Sequence, residues 1–350
     1  MIVGIVLIIL CLLAVMVYLL IAWYSKKVYA FFLGKRMEDD NTLHYFSCDD
    51  YKDINLTKRE GNFDSDGNQL RYYIYENNNI SKKEFIVFCH GWGAGHIQYM
   101  EEIAFFVKQG YQVFTYDVRG CLNSKGEAIE SFSSALRDLH NALLFIETLK
   151  EFDDKTILLY GHSMGGFCVN NISLFNHKNI VGAVSVSSFN KVETLFHDMV
   201  VKLGGEKSVI IANFMTKEEL KHNKELGVIT SVESLKLVNY PMLMISGDED
   251  RVVFHNANHK IYEEVFKDNP LFTFITVKGR YHRPNISLEA TEYCAYVDKK
   301  IEEYNALKKN QKSLEKQKML YDSFDYRKMV EFDYEVMNEI VKFYQKCSKI

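Results

Sequence analysis

The chain has 350 residues, with 42 lysines and arginines against 46 aspartates and glutamates, which gives a formal net charge of −4. This balance offers no basic surplus for a nucleic-acid partner. Apolar residues make up 47% and charged residues 25%, so the composition favours a globular chain over a disordered or collagen-like one. Only three prolines are available for a stiff linker, and we therefore expect one domain with additions.

The amino terminus predicts a membrane anchor. Residues 2–24 carry no charge, and a helix of this length, at about 1.5 Å per residue, crosses a hydrocarbon core of about 30 Å. Trp23 and Tyr24 stand where interfacial aromatic residues belong, and Ser25-Lys26-Lys27 ends the apolar run. A cleaved signal peptide is the alternative, because Val28-Tyr29-Ala30 is an acceptable cleavage site, but the apolar run is long and lacks a basic start.

The charges beside the span predict its orientation. Lys26, Lys27, Lys35 and Arg36 all follow the span, so the positive-inside rule places the body of a single-pass membrane protein in the cytoplasm. The seven cysteines include no C-x-x-C pair and predict neither a disulfide framework nor a zinc site, which agrees with a reducing compartment. We assign the chain to three parts: residues 1–25 as the transmembrane anchor, 26–51 as a juxtamembrane linker and 52–350 as the folded domain.

The folded part alternates between strand and helix patterns. Residues 54–58 and 70–75 are typical of a hairpin at a sheet edge. Continuous apolar runs then indicate strands buried on both faces, hence a mostly parallel sheet. These runs cover residues 85–89, 112–116, 156–160, 181–186, 242–246 and 272–277. Helical patterns between them, clearest at residues 132–149, predict an α/β fold with helices on both faces of the central sheet and a site at the carboxyl ends of its strands.

Two segments interrupt this alternation. Residues 190–240 predict a helix that ends at Gly204-Gly205 and a second helix that begins at Thr216 with a capping-box pattern. We interpret the segment as a helical cap over the site, with a plain crossover as the alternative. Residues 297–330 form a charged helical insertion, in which 299–318 contain seven lysines against three glutamates. A solvated helix is the favoured interpretation of this charge run.

A glycine-flanked serine follows the apolar run at 156–160. The segment Gly161-His162-Ser163-Met164-Gly165 has the G-x-S-x-G pattern between a strand and a helix. Both glycines are expected to permit a sharp turn that exposes the Ser163 hydroxyl. A second glycine pattern, His90-Gly91-Trp92-Gly93, follows the run at 85–89 and allows a backbone N–H to approach the same site, as an oxyanion hole requires.

These segments resemble the α/β-hydrolase superfamily, more closely the serine-hydrolase branch that includes monoacylglycerol lipase-like esterases and serine aminopeptidases. The resemblance covers roughly residues 52–346 and implies that Trp92 and Met164 supply the oxyanion-hole N–H groups. It gives structural roles to His90, Gly91, Gly161 and Gly165. The segment 117–126 is similar to the family's D-x-R-G-x-G-x-S-x-G loop but has Leu122 where a glycine is usual.

The family's chain order is serine, then acid, then histidine. The segment Gly247-Asp248-Glu249-Asp250 resembles the family's G-x-x-D pattern and selects Asp250. By residue type Asp248 and Glu249 are rivals, and the three acids could also form a metal site. His282 matches the family's G-x-x-H ending after the last apolar run. His255 and His259 have the spacing of a zinc pair but lack the glutamate of H-E-x-x-H.

The predicted chemistry is acyl transfer without a cofactor or a metal. Ser163 would attack an acyl carbonyl, His282 would take its proton, and Asp250 would orient the histidine. A membrane tether and an apolar cap favour a carboxylic ester of lipid-like type as the substrate. A serine aminopeptidase and a non-catalytic, membrane-tethered interaction protein are the two alternatives.

Overall fold

Eight strands form one sheet in the order β1-β2-β4-β3-β5-β6-β7-β8 in the computed structural model, which describes residues 2–39, 44–93 and 95–349. The β1–β2 and β2–β4 pairs are antiparallel and the remaining pairs are parallel. The strands are β1 Thr57–Ser65, β2 Asn68–Glu76, β3 Phe85–Cys89, β4 Gln112–Tyr116, β5 Ile157–His162, β6 Ile180–Val186, β7 Met242–Gly247 and β8 Phe272–Val277.

The prediction of a mostly parallel sheet is confirmed. Every residue of β3, β4, β5 and β7 is buried, because helices cover both faces of the sheet. This double burial explains why these strands are continuous apolar runs rather than alternating patterns. The hairpin at the edge is also confirmed, although β1 begins at Thr57 rather than at residue 54 and both strands are longer than predicted.

Twelve α-helices lie around the sheet in the described part of the chain. They are α1 Ile2–Leu33, α2 Met100–Lys108, α3 Phe132–Ile146, α4 Met164–Asn171, α5 Val192–Gly204, α6 Val209–His222, α7 Ser231–Leu235, α8 His259–Phe266, α9 Leu288–Asn305, α10 Leu314–Asp322, α11 Tyr326–Met329 and α12 Tyr334–Cys347. One core contains side chains of α3 and α4, and a second core contains side chains of α2 and α12. The two cores fill opposite faces of the sheet.

The first helix is longer than the predicted anchor. The apolar run ends at Lys26, but α1 continues to Leu33, since Ser25, Tyr29 and Leu33 repeat every four residues and are all buried. The Tyr29 hydroxyl donates a hydrogen bond to Glu219 at 2.9 Å, and its oxygen lies 2.8 Å from the Glu130 carbonyl oxygen. The segment predicted as a linker over 26–51 therefore begins as a helix packed against the domain. Within the described residues, α1 is the one helix long and apolar enough to cross a membrane.

The segment between β6 and β7 holds α5, α6 and α7. The predicted end of the first helix at Gly204-Gly205 is confirmed, but α6 begins at Val209 rather than at Thr216. Thr216 lies inside the helix and donates its hydroxyl to the Ala212 carbonyl at 3.0 Å, so the capping-box prediction is wrong. The apolar run that precedes Thr216 continues the helix, because it packs against α1 and α5.

The charged insertion contains the end of α9, then α10 and α11, rather than one helix. The helix α9 ends at Asn305, and α10 begins after Ser313, whose hydroxyl accepts the Lys316 N–H at 3.2 Å. Val297, Tyr321 and Phe324 form a small separate core beneath these helices. The insertion is thus built on its own apolar contacts.

Candidate active site

Ser163 lies in a strained turn between β5 and α4. Its φ of 55° and ψ of −114° are unfavourable for a residue with a Cβ, and the flanking glycines make the turn possible. A Cβ on Gly161 would lie 2.3 Å from the Gly165 carbonyl oxygen, and a Cβ on Gly165 would lie 2.0 Å from the Cys89 carbonyl oxygen. The half-buried Ser163 side chain is therefore held at the carboxyl end of the central strands.

His282 and Asp250 are joined by a hydrogen bond. The His282 Nδ1 lies 2.8 Å from Asp250 Oδ2, and the Asp250 side chain is fully buried. The other oxygen, Oδ1, accepts the N–H groups of Val252 at 2.8 Å and Val253 at 2.9 Å. These three bonds fix the carboxylate and leave one of its oxygens for the imidazole.

The two rival acids have other partners. Asp248 accepts the Gly279 N–H at 2.7 Å, and this bond together with nearby Lys278 holds the pKa of Asp248 below its usual value despite some burial. Glu249 is exposed and lies 4.0 Å from Arg251. The structure thus brings Asp250, rather than its neighbours, to His282.

His162 connects the serine turn to the histidine loop. Its Nε2 lies 2.7 Å from the His282 carbonyl oxygen, and its Nδ1 lies 2.9 Å from the Tyr99 hydroxyl. Burial and the nearby His282 charge hold the pKa of His162 well below its usual value, so the ring is neutral. The ring therefore donates from Nε2 to His282 and accepts at Nδ1 from Tyr99. The Ser163 hydroxyl itself makes no hydrogen bond to the His282 ring among the described residues.

The Tyr99 hydroxyl extends this connection to the glycine loop. It accepts the Gly91 N–H at 3.0 Å while donating to His162. Burial raises the pKa of Tyr99 to about 12, so the hydroxyl keeps its proton. Sequence reasoning missed Tyr99, because nothing in the sequence indicates that its hydroxyl contacts residues 8 and 63 positions away.

The two predicted oxyanion-hole residues differ in burial and in the element on which they lie. Met164 is buried at the first position of α4, where backbone N–H groups have no partner within the helix. Trp92 is 40% exposed, and its indole N–H donates to the Phe32 carbonyl at 2.9 Å. The end of α1 is therefore in direct contact with the glycine loop.

His90 supports the same loop from below. Its Nδ1 lies 2.6 Å from the Gly91 carbonyl oxygen, and its Nε2 accepts the Val118 N–H at 3.1 Å. Burial lowers the pKa of His90, which keeps it neutral and able to make both bonds. His90 thus fixes the backbone of the loop from inside the domain.

The loop at 117–126 has a backbone conformation at Leu122 that suits the glycine usual in the family pattern. Leu122 has a φ of 43°, a conformation that glycine adopts more readily. The Leu122 N–H donates to the Met37 carbonyl at 3.0 Å, and the Met37 N–H donates to the Gly120 carbonyl at 2.8 Å. The segment after α1 therefore holds this loop in place.

The His282 loop has a second anchor outside the predicted residues. Arg283 and Asn285 donate to Glu102 on α2, at 2.6 Å and 3.0 Å. Sequence reasoning missed this contact because it joins segments about 180 residues apart.

The histidines with the spacing of a zinc pair, His255 and His259, have their rings 5.2 Å apart. Burial together with the charge of His255 lowers the pKa of His259 to about 3. No group of three or more His, Cys, Asp or Glu side chains in residues 2–39, 44–93 and 95–349 could hold a metal.

Comparisons with known proteins agree with the fold. Residues 80–232 match the family described as serine aminopeptidase, S33. An esterase of Pyrococcus furiosus is similar with a TM-score of 0.56 and 17% identity, covering 76% of this chain and 97% of that chain. An α/β hydrolase from Vibrio vulnificus is similar with a TM-score of 0.52 and 15% identity, covering 70% of this chain and 80% of that chain. No curated protein matches the chain. The sheet order, the serine turn and these similarities show that the chain has the α/β-hydrolase fold.

Proposed function

We propose that the protein is a membrane-anchored serine hydrolase that cleaves acyl esters with Ser163, His282 and Asp250. The observation that carries this proposal is the Asp250–His282 hydrogen bond, in a loop that His162 ties to the strained Ser163 turn. A buried carboxylate that orients the base is one of the relations that acyl transfer requires.

The reaction would proceed through an acyl-enzyme. The Ser163 hydroxyl attacks the acyl carbonyl carbon while His282 Nε2 takes its proton, and Asp250 stabilises the resulting imidazolium. His282 then protonates the departing alkoxide, and water releases the acyl group by the same steps. The N–H groups of Trp92 and Met164 would stabilise the oxyanion, each by about 3 kcal/mol.

A labelling experiment tests the enzyme class. A fluorophosphonate probe should react with the detergent-solubilised full chain, and mass spectrometry should place the adduct on Ser163. The variants Ser163→Ala and His282→Ala should each abolish labelling while keeping the melting temperature of the parent. Labelling that persists in Ser163→Ala, or a folded parent chain that never reacts, would overturn the proposal.

The membrane anchor rests on α1. The first part of α1 is exposed and apolar, whereas its last part packs against the domain. The possible cleavage point after Ala30 therefore lies within the part of the helix that contacts the domain. We propose that α1 is retained and that the domain lies in the cytoplasm, as the positive-inside rule indicates. Membrane fractions should keep the full chain after an alkaline wash. Labelling of the half-buried Cys294 by an impermeant thiol reagent in intact cells would contradict the cytoplasmic placement.

An aminopeptidase is the second candidate, because Asp198 offers a group for a free amine. Asp198 is buried on α5, and its Oδ2 has no hydrogen-bond partner among the described residues. Burial raises the pKa of Asp198, and the charge of Asp250 adds to this shift, so the two acids lie within electrostatic reach. Glu219, another acid of the cap, already accepts four hydrogen bonds.

A pair of substrates distinguishes the two candidates. An esterase should cleave a p-nitrophenyl acyl ester faster than an aminoacyl p-nitroanilide, and Asp198→Asn should leave ester cleavage nearly unchanged. An aminopeptidase should show the reverse preference and lose activity on the anilide in Asp198→Asn.

A further inference from the structure

The charged insertion carries a protruding lysine-rich hairpin, defined here as residues 304–319. It comprises the end of α9, a connection and most of α10, and it contains five lysines against one glutamate. Two apolar side chains stand out on it, since Leu314 is 83% exposed and Met319 is 67% exposed. Lysines alone would keep a surface helix soluble, so the exposed apolar side chains beside them call for another explanation.

The hairpin does not use these side chains to hold its own shape. Its base rests on the small core of Val297, Tyr321 and Phe324. The Tyr304 hydroxyl closes the connection by donating to the Ser313 carbonyl at 2.8 Å. Leu314 and Met319 take part in none of these contacts and are available to an external partner.

The hairpin and α1 are joined to the domain at the same edge of the sheet. The helix α9, which leads into the hairpin, begins six residues after His282, beyond the carboxyl end of β8. The helix α1 ends beside the glycine loop that follows β3, where the Trp92 indole donates to the Phe32 carbonyl. Both helices therefore meet the domain at the edge that carries the site.

The helix α6 packs along α1. Phe214 packs against Tyr18 with ring centroids 5.1 Å apart, and Glu219, further along α6, accepts the Tyr29 hydroxyl. The two helices therefore run in the same direction, with the beginning of α6 beside the apolar part of α1. The turn between α5 and α6 therefore lies beside the apolar part of α1, on the side of the proposed membrane span.

We propose that the lysine-rich hairpin is a second membrane contact, which binds the anionic headgroups of the bilayer that holds α1. This inference rests on the proposed membrane anchor. The lysines supply charge complementary to anionic lipid, and Leu314 and Met319 can enter the headgroup boundary. Because exposed charges are screened beyond about 8 Å at physiological ionic strength, the contact should weaken in high salt.

A fluorescent reporter on the full chain tests this proposal. Leu314→Cys, labelled with acrylodan, is reconstituted in nanodiscs of phosphatidylcholine alone or of phosphatidylcholine with phosphatidylglycerol. We expect a blue shift of the emission in the anionic nanodiscs that is absent in phosphatidylcholine and is reversed by high salt. The parent chain, treated in parallel, gives the background from the native cysteines.

Matched variants make the result specific to the hairpin. The triple variant Lys308→Gln, Lys312→Gln and Lys316→Gln should reduce the shift at position 314 by at least half. The control triple variant Lys83→Gln, Lys150→Gln and Lys178→Gln removes the same charge near the amino ends of the strands and should leave the shift unchanged. A reporter at Leu237, which is 60% exposed and precedes β7, should not respond to lipid.

The outcomes separate this proposal from the anchor on which it rests. A chain that co-elutes with both kinds of nanodisc but shows the same emission in each overturns the hairpin contact and leaves the anchor intact. A chain that elutes apart from the nanodiscs overturns the anchor and the hairpin contact together. Equal loss of the shift in both triple variants also overturns the proposal, since it assigns the effect to net charge.

Discussion

The Tyr99 hydroxyl offers a sharp test of how the site is held together. Tyr99→Phe removes one oxygen from a buried ring and leaves the ring's shape unchanged. That oxygen accepts the Gly91 N–H at 3.0 Å and donates to His162 Nδ1 at 2.9 Å. The substitution therefore leaves one buried donor and one buried acceptor without partners.

The size of the effect follows from these two lost bonds. A buried polar group without a partner costs about 1–3 kcal/mol, so for two such groups we expect a total loss of about 2–6 kcal/mol in the free energy of unfolding. At about 2–4 °C per kcal/mol, the melting temperature should fall by on the order of 10 °C. Because Gly91 belongs to the oxyanion loop and His162 bonds the His282 backbone, kcat for a soluble ester should fall more than KM rises.

Tyr240→Phe is the matched control. Tyr240 is also buried, but its hydroxyl has no hydrogen-bond partner in the described part of the chain. Removing that oxygen should change the free energy of unfolding by less than about 0.5 kcal/mol or stabilise the fold slightly. Thermal melts and ester kinetics of the two variants are compared in one detergent. Equal melting temperatures and equal kcat for Tyr99→Phe and Tyr240→Phe would refute the proposed connection.

Three further predictions address the turn, the cap and the anchor. Gly165→Ala should prevent folding, because its Cβ would lie 2.0 Å from the Cys89 carbonyl oxygen. Gly4→Ala is the control, since its Cβ would meet no atom within 4 Å, and the yields of folded protein from the two variants are compared. Burial raises the pKa of Glu219 above 4.5, so the folded state holds this proton more tightly than the unfolded state. This contribution to stability is present below pH 4.5 and is lost as pH rises through the raised pKa, so Glu219→Gln should show a smaller fall in melting temperature than the parent as the pH is raised from 4.5. Deletion of residues 1–24 should give a soluble chain that still reacts with the fluorophosphonate probe, while deletion of residues 1–37 should lose that reaction; a reactive longer deletion would show that the end of α1 is dispensable.

The sheet could be predicted from the sequence because its strands are buried on both faces. Such strands have few alternatives to continuous apolar runs, and turn residues separate them. The serine turn was likewise visible, since its geometry requires glycine at fixed positions. The assignment of catalytic roles to Ser163, Asp250 and His282 stays a prediction, which the labelling experiment tests.

The remaining features depend on contacts between distant segments. A capping pattern at Thr216 indicated a helix start, but tertiary packing of the apolar residues before it extends α6 back to Val209. The lysines after the span indicated the end of the anchor, yet packing of one face continues α1 to Leu33. Local sequence patterns indicate the structure that a segment can form alone. At both positions, contacts with neighbouring elements determine where the helix begins or ends.

The end of α1 and the residues that follow it are hydrogen-bonded to two loops of the domain. The last carbonyls of a helix lack partners within it, and Trp92 binds one of them at Phe32. Three residues beyond α1, the Arg36 guanidinium donates to the carbonyls of Leu122, Ser124 and Gly126. The glycine loop and the loop at 117–126 are thus both bonded to the end of the proposed anchor. Since a helix is far stiffer than an extended tether, an anchor joined in this way fixes the height and tilt of the site above the bilayer, which a flexible linker of the same length could not do.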